Sequence, residues 1–156
     1  DTMNLWIHTA LDDLKAVLAR VDVLIINDSE VKDLTGEVNL IKGAHAIRRF
    51  GPRIVVVKKG EHGCVLFEDD RIFAIPAYPL LDVADPTGAG DTFAGGFMGH
   101  IADKDSTDSA TLREAVVHGT VVASFTCEKF GVARLSEITD GDIANRFQAF
   151  RDLVRF

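Results

Sequence analysis

Two unbroken apolar runs, Val23-Leu24-Ile25-Ile26 and Ile54-Val55-Val56-Val57, punctuate a chain that is otherwise periodic or polar. Runs of this length without a polar face predict strands covered on both sides. Asp1 to His8 reads as the end of a strand through Leu5-Trp6-Ile7. Thr9 to Arg20 places Leu11, Leu14 and Leu18 on one face, with Asp12 and Asp13 early and Lys15 and Arg20 late, which predicts a helix capped by Thr9. Asn27-Asp28-Ser29-Glu30 opens a short helix to about Leu34, stopped by Thr35-Gly36. Asn39 to Phe50 is a further helix, ended by Gly51-Pro52. Gly60 to Gly63 makes a turn, and Cys64 to Phe67 pairs with Arg71 to Ile75 as a hairpin about Asp69-Asp70.

The second half is helical in pattern. Apolar residues at 93, 94, 97, 98 and 101 follow the helical period. Thr111 to about Lys129 is a long helix broken by Phe130-Gly131. Asp140 to Val154 is a last helix, capped by Asp140 and amphipathic through Ile143, Phe147, Phe150 and Leu153. Strands that alternate with helices predict an α/β fold with a largely parallel sheet and helices on both faces. The 156 residues are enough for one domain, 1–156, with a sizeable core.

Composition narrows the function classes. A net charge of −7 argues against a nucleic-acid surface, which needs clustered Lys and Arg. It leaves a nucleotide ligand open, because local amides, a lysine and Mg²⁺ outweigh global charge. Cys64 and Cys127 each lie in an apolar run and are expected to be buried and reduced, as in the cytoplasm. No apolar run reaches transmembrane length and no signal peptide opens the chain, so no membrane partner is expected. The chain opens at Asp1 as though in the middle of a longer sequence. His8, His45, His62, His100 and His118 show no metal-ligand spacing.

The chemistry concentrates in Asp85-Pro86-Thr87-Gly88-Ala89-Gly90-Asp91-Thr92. Gly88, Ala89 and Gly90 form a tight turn at the mouth of the 93–102 helix, and Asp91 lies in its first turn. Free N–H groups and the helix dipole there make an anion site. A carboxylate beside an anion site suits phosphoryl transfer, in which amides hold phosphate charge and the carboxylate takes a proton from the attacking hydroxyl. The plainer reading is a glycine turn with an ordinary capping Asp. No Lys-Ser/Thr follows the glycines, so the loop is not a Walker A, and the dinucleotide fingerprint that an oxidoreductase would need is missing.

From Asp85 to Phe97 the sequence resembles the C-terminal signature of the ribokinase-like, phosphofructokinase-B type sugar and nucleoside kinases. The resemblance runs from about Val21 to Arg134 and covers only the C-terminal half of a family member. It implies a three-layer ribokinase-like α/β/α fold, truncated at the N-terminus and lacking the β-lid. It implies ATP-dependent transfer to a hydroxyl of a sugar or nucleoside, with Asp91 as base and Gly88, Ala89 and Gly90 as the anion hole. Asn27 and Glu30, three apart where a strand meets a helix, resemble the family pair that orients the Mg²⁺–phosphate network; the plainer reading is a capping box. Lys58, Gly60 and Gly63 resemble the loop beside the ATP phosphates, or else form a hairpin turn with solvated lysines. Thr120, Ala123 and Gly131 fall where the family closes over adenine. Asp85 and Thr87 fall where it often places a monovalent cation such as K⁺, although Asp85 equally suits a turn beside Pro86.

The resemblance places most sugar contacts, and the lid through which such enzymes often form homodimers, upstream of Asp1. This chain alone is therefore expected to be inactive. The rival reading is a non-catalytic nucleotide- or anion-binding module.

Overall fold

The computed structural model describes residues 1–155, which divide into two compact units, Asp1–Ala74 and Ile75 onward.

The first unit holds helices α1 (Asn4–Thr9), α2 (Leu11–Leu18), α3 (Asp28–Thr35) and α4 (Leu40–Arg48). Its strands are β1 (Val23–Asn27), β2 (Ile54–Lys58), β3 (Cys64–Glu68) and β4 (Arg71–Ile75), in sheet order β1-β2-β3-β4. β1 runs parallel to β2, in a register that sets Val23 opposite Ile54 and Asn27 opposite Lys58. β2 and β3 are antiparallel, with Lys58 opposite Cys64. The sheet in this chain is thus mixed where a largely parallel one was expected. The physical reason is the short link at 59–63, far too short for the crossover that parallel strands need.

Both apolar runs are buried on both faces. Leu24, Ile26, Val55, Val57 and Phe67 share a core with Leu18, Val31, Leu34, Ala44 and Ile47 of the helices. On the other face Ile25, Ile54, Val56, Cys64 and Leu66 are buried too. Each buried Val, Leu, Ile or Phe among them contributes about 1.5–3 kcal/mol.

Residues 4–9 are helix where a strand was expected. Only Ile7 of the Leu5-Trp6-Ile7 run is buried, and Leu5 and Trp6 are half exposed. Asn4 and His8, one helical turn apart, both reach Asp33 of α3: Asn4 Nδ2 donates at 3.0 Å and His8 Nε2 lies 3.5 Å away. Thr9 ends α1, with its hydroxyl donating to the Leu5 carbonyl at 2.6 Å, and does not cap α2.

The second unit carries α5 (Ala89–Lys104), α6 (Ser109–Thr126) and α7 (Asp140–Val154). α5 and α6 pack closely because glycines face each other. A Cβ on Gly119 would stand 2.8 Å from the Phe93 carbonyl oxygen, and one on Gly96 would stand 3.1 Å from the Gly119 Cα. Phe97, Leu112, Ala115, Val116, Val121, Phe125 and Phe150 are buried. His118 stacks on His100 at 4.3 Å and meets Phe147 of α7 at 4.5 Å.

α7 is capped by Thr139 and not by Asp140. Thr139 is extended and exchanges hydrogen bonds with Asp142, whose amide donates to its hydroxyl at 3.2 Å. Cys64 is buried as expected, but Cys127 is only half-buried, because α6 ends at Thr126 and leaves it at the polar helix terminus. Among the described residues no helix is long and apolar enough to cross a membrane.

Candidate functional site

In the first unit the sequence-selected residues gather at the carboxyl ends of β1 and β2. Asn27 ends β1, is paired in register with Lys58 at the end of β2, and caps α3. Its Oδ1 accepts from the Glu30 amide at 2.8 Å and from the Ser29 hydroxyl at 2.7 Å. The Glu30 carboxylate is buried and accepts from the Asn27 amide at 3.0 Å, so a complete capping box closes the turn. Lys58 Nζ lies 2.9 Å from Asp1 Oδ2.

The chain then turns through a short 3₁₀ segment, Gly60–His62. Gly60 has φ +55° and Gly63 φ +85°, conformations that favour glycine, and the Lys59 amide closes the turn onto the Gly63 carbonyl at 2.8 Å. Beside this end an open cleft of about 360 Å³ is lined by Asp28, Ser29, Lys32, Glu37 and Lys59, among others.

In the second unit Gly88 is the N-cap of α5 at φ +81°, which a residue with a Cβ would resist. Ala89 donates its amide to the Pro86 carbonyl at 3.1 Å, so it is not free as the sequence reading expected; the turn that starts the helix consumes it. The Thr92 amide makes the first helical bond, to the Gly88 carbonyl at 2.9 Å. The amides of Gly88, Gly90 and Asp91 have no acceptor among the described residues, as helix N-termini require. Asp91 is exposed, and its carboxylate makes no hydrogen bond or ion pair among the described residues.

Asp85 reaches across to the loop after α6. Its Oδ1 accepts from the Thr87 amide at 2.9 Å and its Oδ2 from the Gly131 amide at 3.5 Å. The Thr87 amide and hydroxyl, with help from the Gly131 amide, hold its carboxyl below the usual range against a smaller opposing effect of burial. Gly131 has φ +59°, and Thr87 and Gly131 are both exposed. Thr120 and Ala123 sit inside α6; Thr120 is buried and its hydroxyl donates to the Val116 carbonyl at 2.9 Å.

Two features leave no mark in the sequence. The Thr126 hydroxyl donates to the Thr92 hydroxyl at 2.9 Å, from a site only 2% exposed. The Cys127 carbonyl accepts the Ala84 amide at 2.8 Å and the Asp85 amide at 3.4 Å. No local pattern marks either, since both bridge long sequence separations. Nearby, burial tends to raise the Glu128 carboxyl, but hydrogen bonds from Arg134 and Arg146 hold it low. The Arg146 guanidinium lies 3.5 Å from the centre of the Phe125 ring.

Residues 3–139 match the pfkB family carbohydrate kinase model, and the chain belongs to that family. A nucleoside kinase of Methanothermobacter thermautotrophicus is 31% identical over 137 residues, which are 87% of this chain and 41% of that protein. The fold matches that of aminoimidazole riboside kinase from Salmonella enterica, solved with aminoimidazole riboside and an ATP analogue. The TM-score is 0.77 at 23% identity, over 87% of this chain and 45% of that one. A fructokinase double mutant from Vibrio cholerae, solved with fructose, ADP and a potassium ion, matches at TM-score 0.74 and 22% identity over 87% of this chain and 45% of that one. The ribokinase-like fold is thus the fold of this chain, and the chain spans less than half the length of these proteins.

Proposed function

We propose that the protein carrying this chain is an ATP-dependent phosphotransferase acting on a hydroxyl of a sugar or nucleoside. The observation that carries the reading is the turn at Gly88–Asp91. It joins three amides without acceptors to an unengaged carboxylate, in a chain whose family phosphorylates carbohydrates.

In this reading the acceptor oxygen attacks the γ-phosphorus, the bond from that phosphorus to the ADP oxygen breaks, and Asp91 receives the hydroxyl proton. The anion hole is formed by the Gly88 and Gly90 amides. Ala89 contributes the turn and not a free N–H, because its amide is held by Pro86. Lys58, Gly60 and Gly63 form the phosphate-side loop, where Gly63 lets backbone approach closely. Thr120, Ala123 and Gly131 border the adenine, with Thr120 shaping the helix from inside, since its hydroxyl is engaged.

Mg²⁺ would spread the charge of the transferring phosphate. Asn27 and Glu30 fit it only through water, because Asn27 Oδ1 already accepts two hydrogen bonds and Glu30 is buried in the capping box. The potassium ion in the fructokinase structure supports the use of K⁺, and Asp85 and Thr87 are the residues we assign to border it. The acceptor is a small molecule, as the names of the relatives suggest.

The test is a coupled ADP-release assay of the complete protein over a sugar and nucleoside panel, in K⁺ and in a bulky organic cation. Asp91→Asn is expected to keep ATP binding and lose about two to four orders of magnitude in kcat. Activity lower without K⁺ supports the cation site, and equal activity removes it. ATP binding without transfer to any acceptor would favour a nucleotide-binding module instead, and near-wild-type turnover by Asp91→Asn would sink the base assignment.

A further inference from the structure

The turn at 86–91 is held from both sides by one short stretch of another helix. On its upstream flank, the Ala84 and Asp85 amides both donate to the Cys127 carbonyl, at 2.8 and 3.4 Å. On its downstream flank, the Thr126 hydroxyl donates to the Thr92 hydroxyl at 2.9 Å. Thr126 is the last residue of α6 and Cys127 its C-cap, so two adjacent residues grip both ends of the motif. A third tie, from the Gly131 amide to Asp85 Oδ2 at 3.5 Å, comes from the loop that follows.

We infer that the carboxyl end of α6 is a clamp that fixes the pose of the glycine turn, and that Thr126 is a positioning residue acting through Thr92. The inference rests on the phosphotransfer reading of Asp91 and adds to it a residue that touches no substrate.

The geometry gives three reasons. α5 carries few anchors at its own start: Gly88 offers no side-chain cap, and the segment from Leu81 to Ala84 is exposed. A first helical turn without a cap frays, and its amides then lose their common aim. Thr92 follows Asp91 directly, so a bond fixing its hydroxyl also fixes the backbone that presents the Asp91 carboxylate and the Gly90 amide. Finally, Thr126 is 2% exposed, and both hydroxyls of the pair are polar groups that hydrophobic packing alone would not select. Fixing a base and an anion hole to well under an ångström is worth large factors in rate, so one hydrogen bond at this place has leverage over turnover.

The experiment uses Thr126→Val, which keeps the β-branched shape and removes the hydroxyl, beside Thr126→Ser, Thr92→Val and the double Val variant. In the complete protein Thr126→Val is expected to lower kcat about tenfold, while the KM for ATP moves less than about twofold. Thr126→Ser is expected to restore kcat to within about twofold. The double variant should be no worse than either single, because all three lack the same bond.

The second readout is amide hydrogen exchange of Thr92 and Phe93 in this chain. Exchange is expected to speed up about tenfold in Thr126→Val and to return to the wild-type rate in Thr126→Ser. Unchanged exchange, or a Thr126→Val enzyme with wild-type kcat, overturns the clamp whatever the activity of the protein proves to be. An Asp91→Asn variant with normal turnover instead removes the reading of Asp91 and leaves the exchange result to judge the clamp.

Discussion

The crossing of α5 and α6 allows a prediction of sign as well as size. A Cβ added at Gly119 would meet the Phe93 carbonyl oxygen at 2.8 Å and two Phe93 ring carbons at 3.1 Å. The first neighbour is backbone, so it yields only if the helices part. Overpacking of this kind costs about 1–3 kcal/mol. Alanine also gains about 0.5–1 kcal/mol over glycine in a helix interior. Packing therefore wins, and Gly119→Ala should destabilise by about 1–2 kcal/mol, or lower the melting midpoint by about 2–8 °C. Gly95 lies on the exposed side of α5 with nothing within 4 Å of its would-be Cβ. Gly95→Ala should keep only the propensity gain and raise the midpoint by about 1–4 °C. Thermal unfolding of this chain followed by far-UV circular dichroism distinguishes the two. If Gly119→Ala stabilised the chain as Gly95→Ala does, the helices would not approach as closely as described, and the argument would fail.

Two further outcomes are expected from the structure. Asn27→Ala removes the cap of α3 and leaves the Glu30 amide without its acceptor, so the midpoint should fall by an amount matching about 1 kcal/mol; an unchanged midpoint would show that the capping box does not stabilise α3. Burial, and then neighbouring His100, lowers the His118 pKa from 6.5, with Glu114 and Asp103 partly opposing and Lys104 adding to the effect. A base whose folded pKa is depressed contributes stability that is present above its unfolded value and is lost as pH falls below it. The melting midpoint should therefore drop between about pH 7.5 and 5.5, and His118→Phe should flatten that drop; an equal drop in both would assign it to other groups.

Much of the fold was legible in the sequence because burial on both faces leaves an unambiguous mark. The apolar runs at 23–26 and 54–57 are strands within a residue or so of the expected bounds, and Gly36 stops α3 in the left-handed conformation that a glycine there implies. Asn27 and Glu30 had two readings, and the structure shows the capping box in full, on which any metal role must be superimposed. What was hidden has several causes. Leu5-Trp6-Ile7 is too short a run to reveal its period, and the contacts that Asn4 and His8 make with Asp33 come from far along the chain. The link at 59–63 is recognisable as a turn, but strand direction follows only from its shortness, which rules out a parallel crossover. The engagement of the Ala89 amide and the grip of Thr126 and Cys127 on the motif depend on distances that no spacing rule supplies.

The mixed sheet also sets an order of assembly. Between β2 and β3 the chain closes a loop of 5 residues, 59–63, whereas between β1 and β2 it must close one of 26, residues 28–53. The longer closure costs about 1.5 kcal/mol more in chain entropy, before the helices within it repay any of that. Chain closure alone therefore favours pairing of β2 with β3 before β1 docks on their edge. Its register is then decisive. A slip of one residue would turn Leu24 and Ile26 away from the helices and move Asn27 off its pairing with Lys58. Asn27 meets Lys58 only in the register in which β1 docks, whereas its bonds with Glu30 are local to the start of α3.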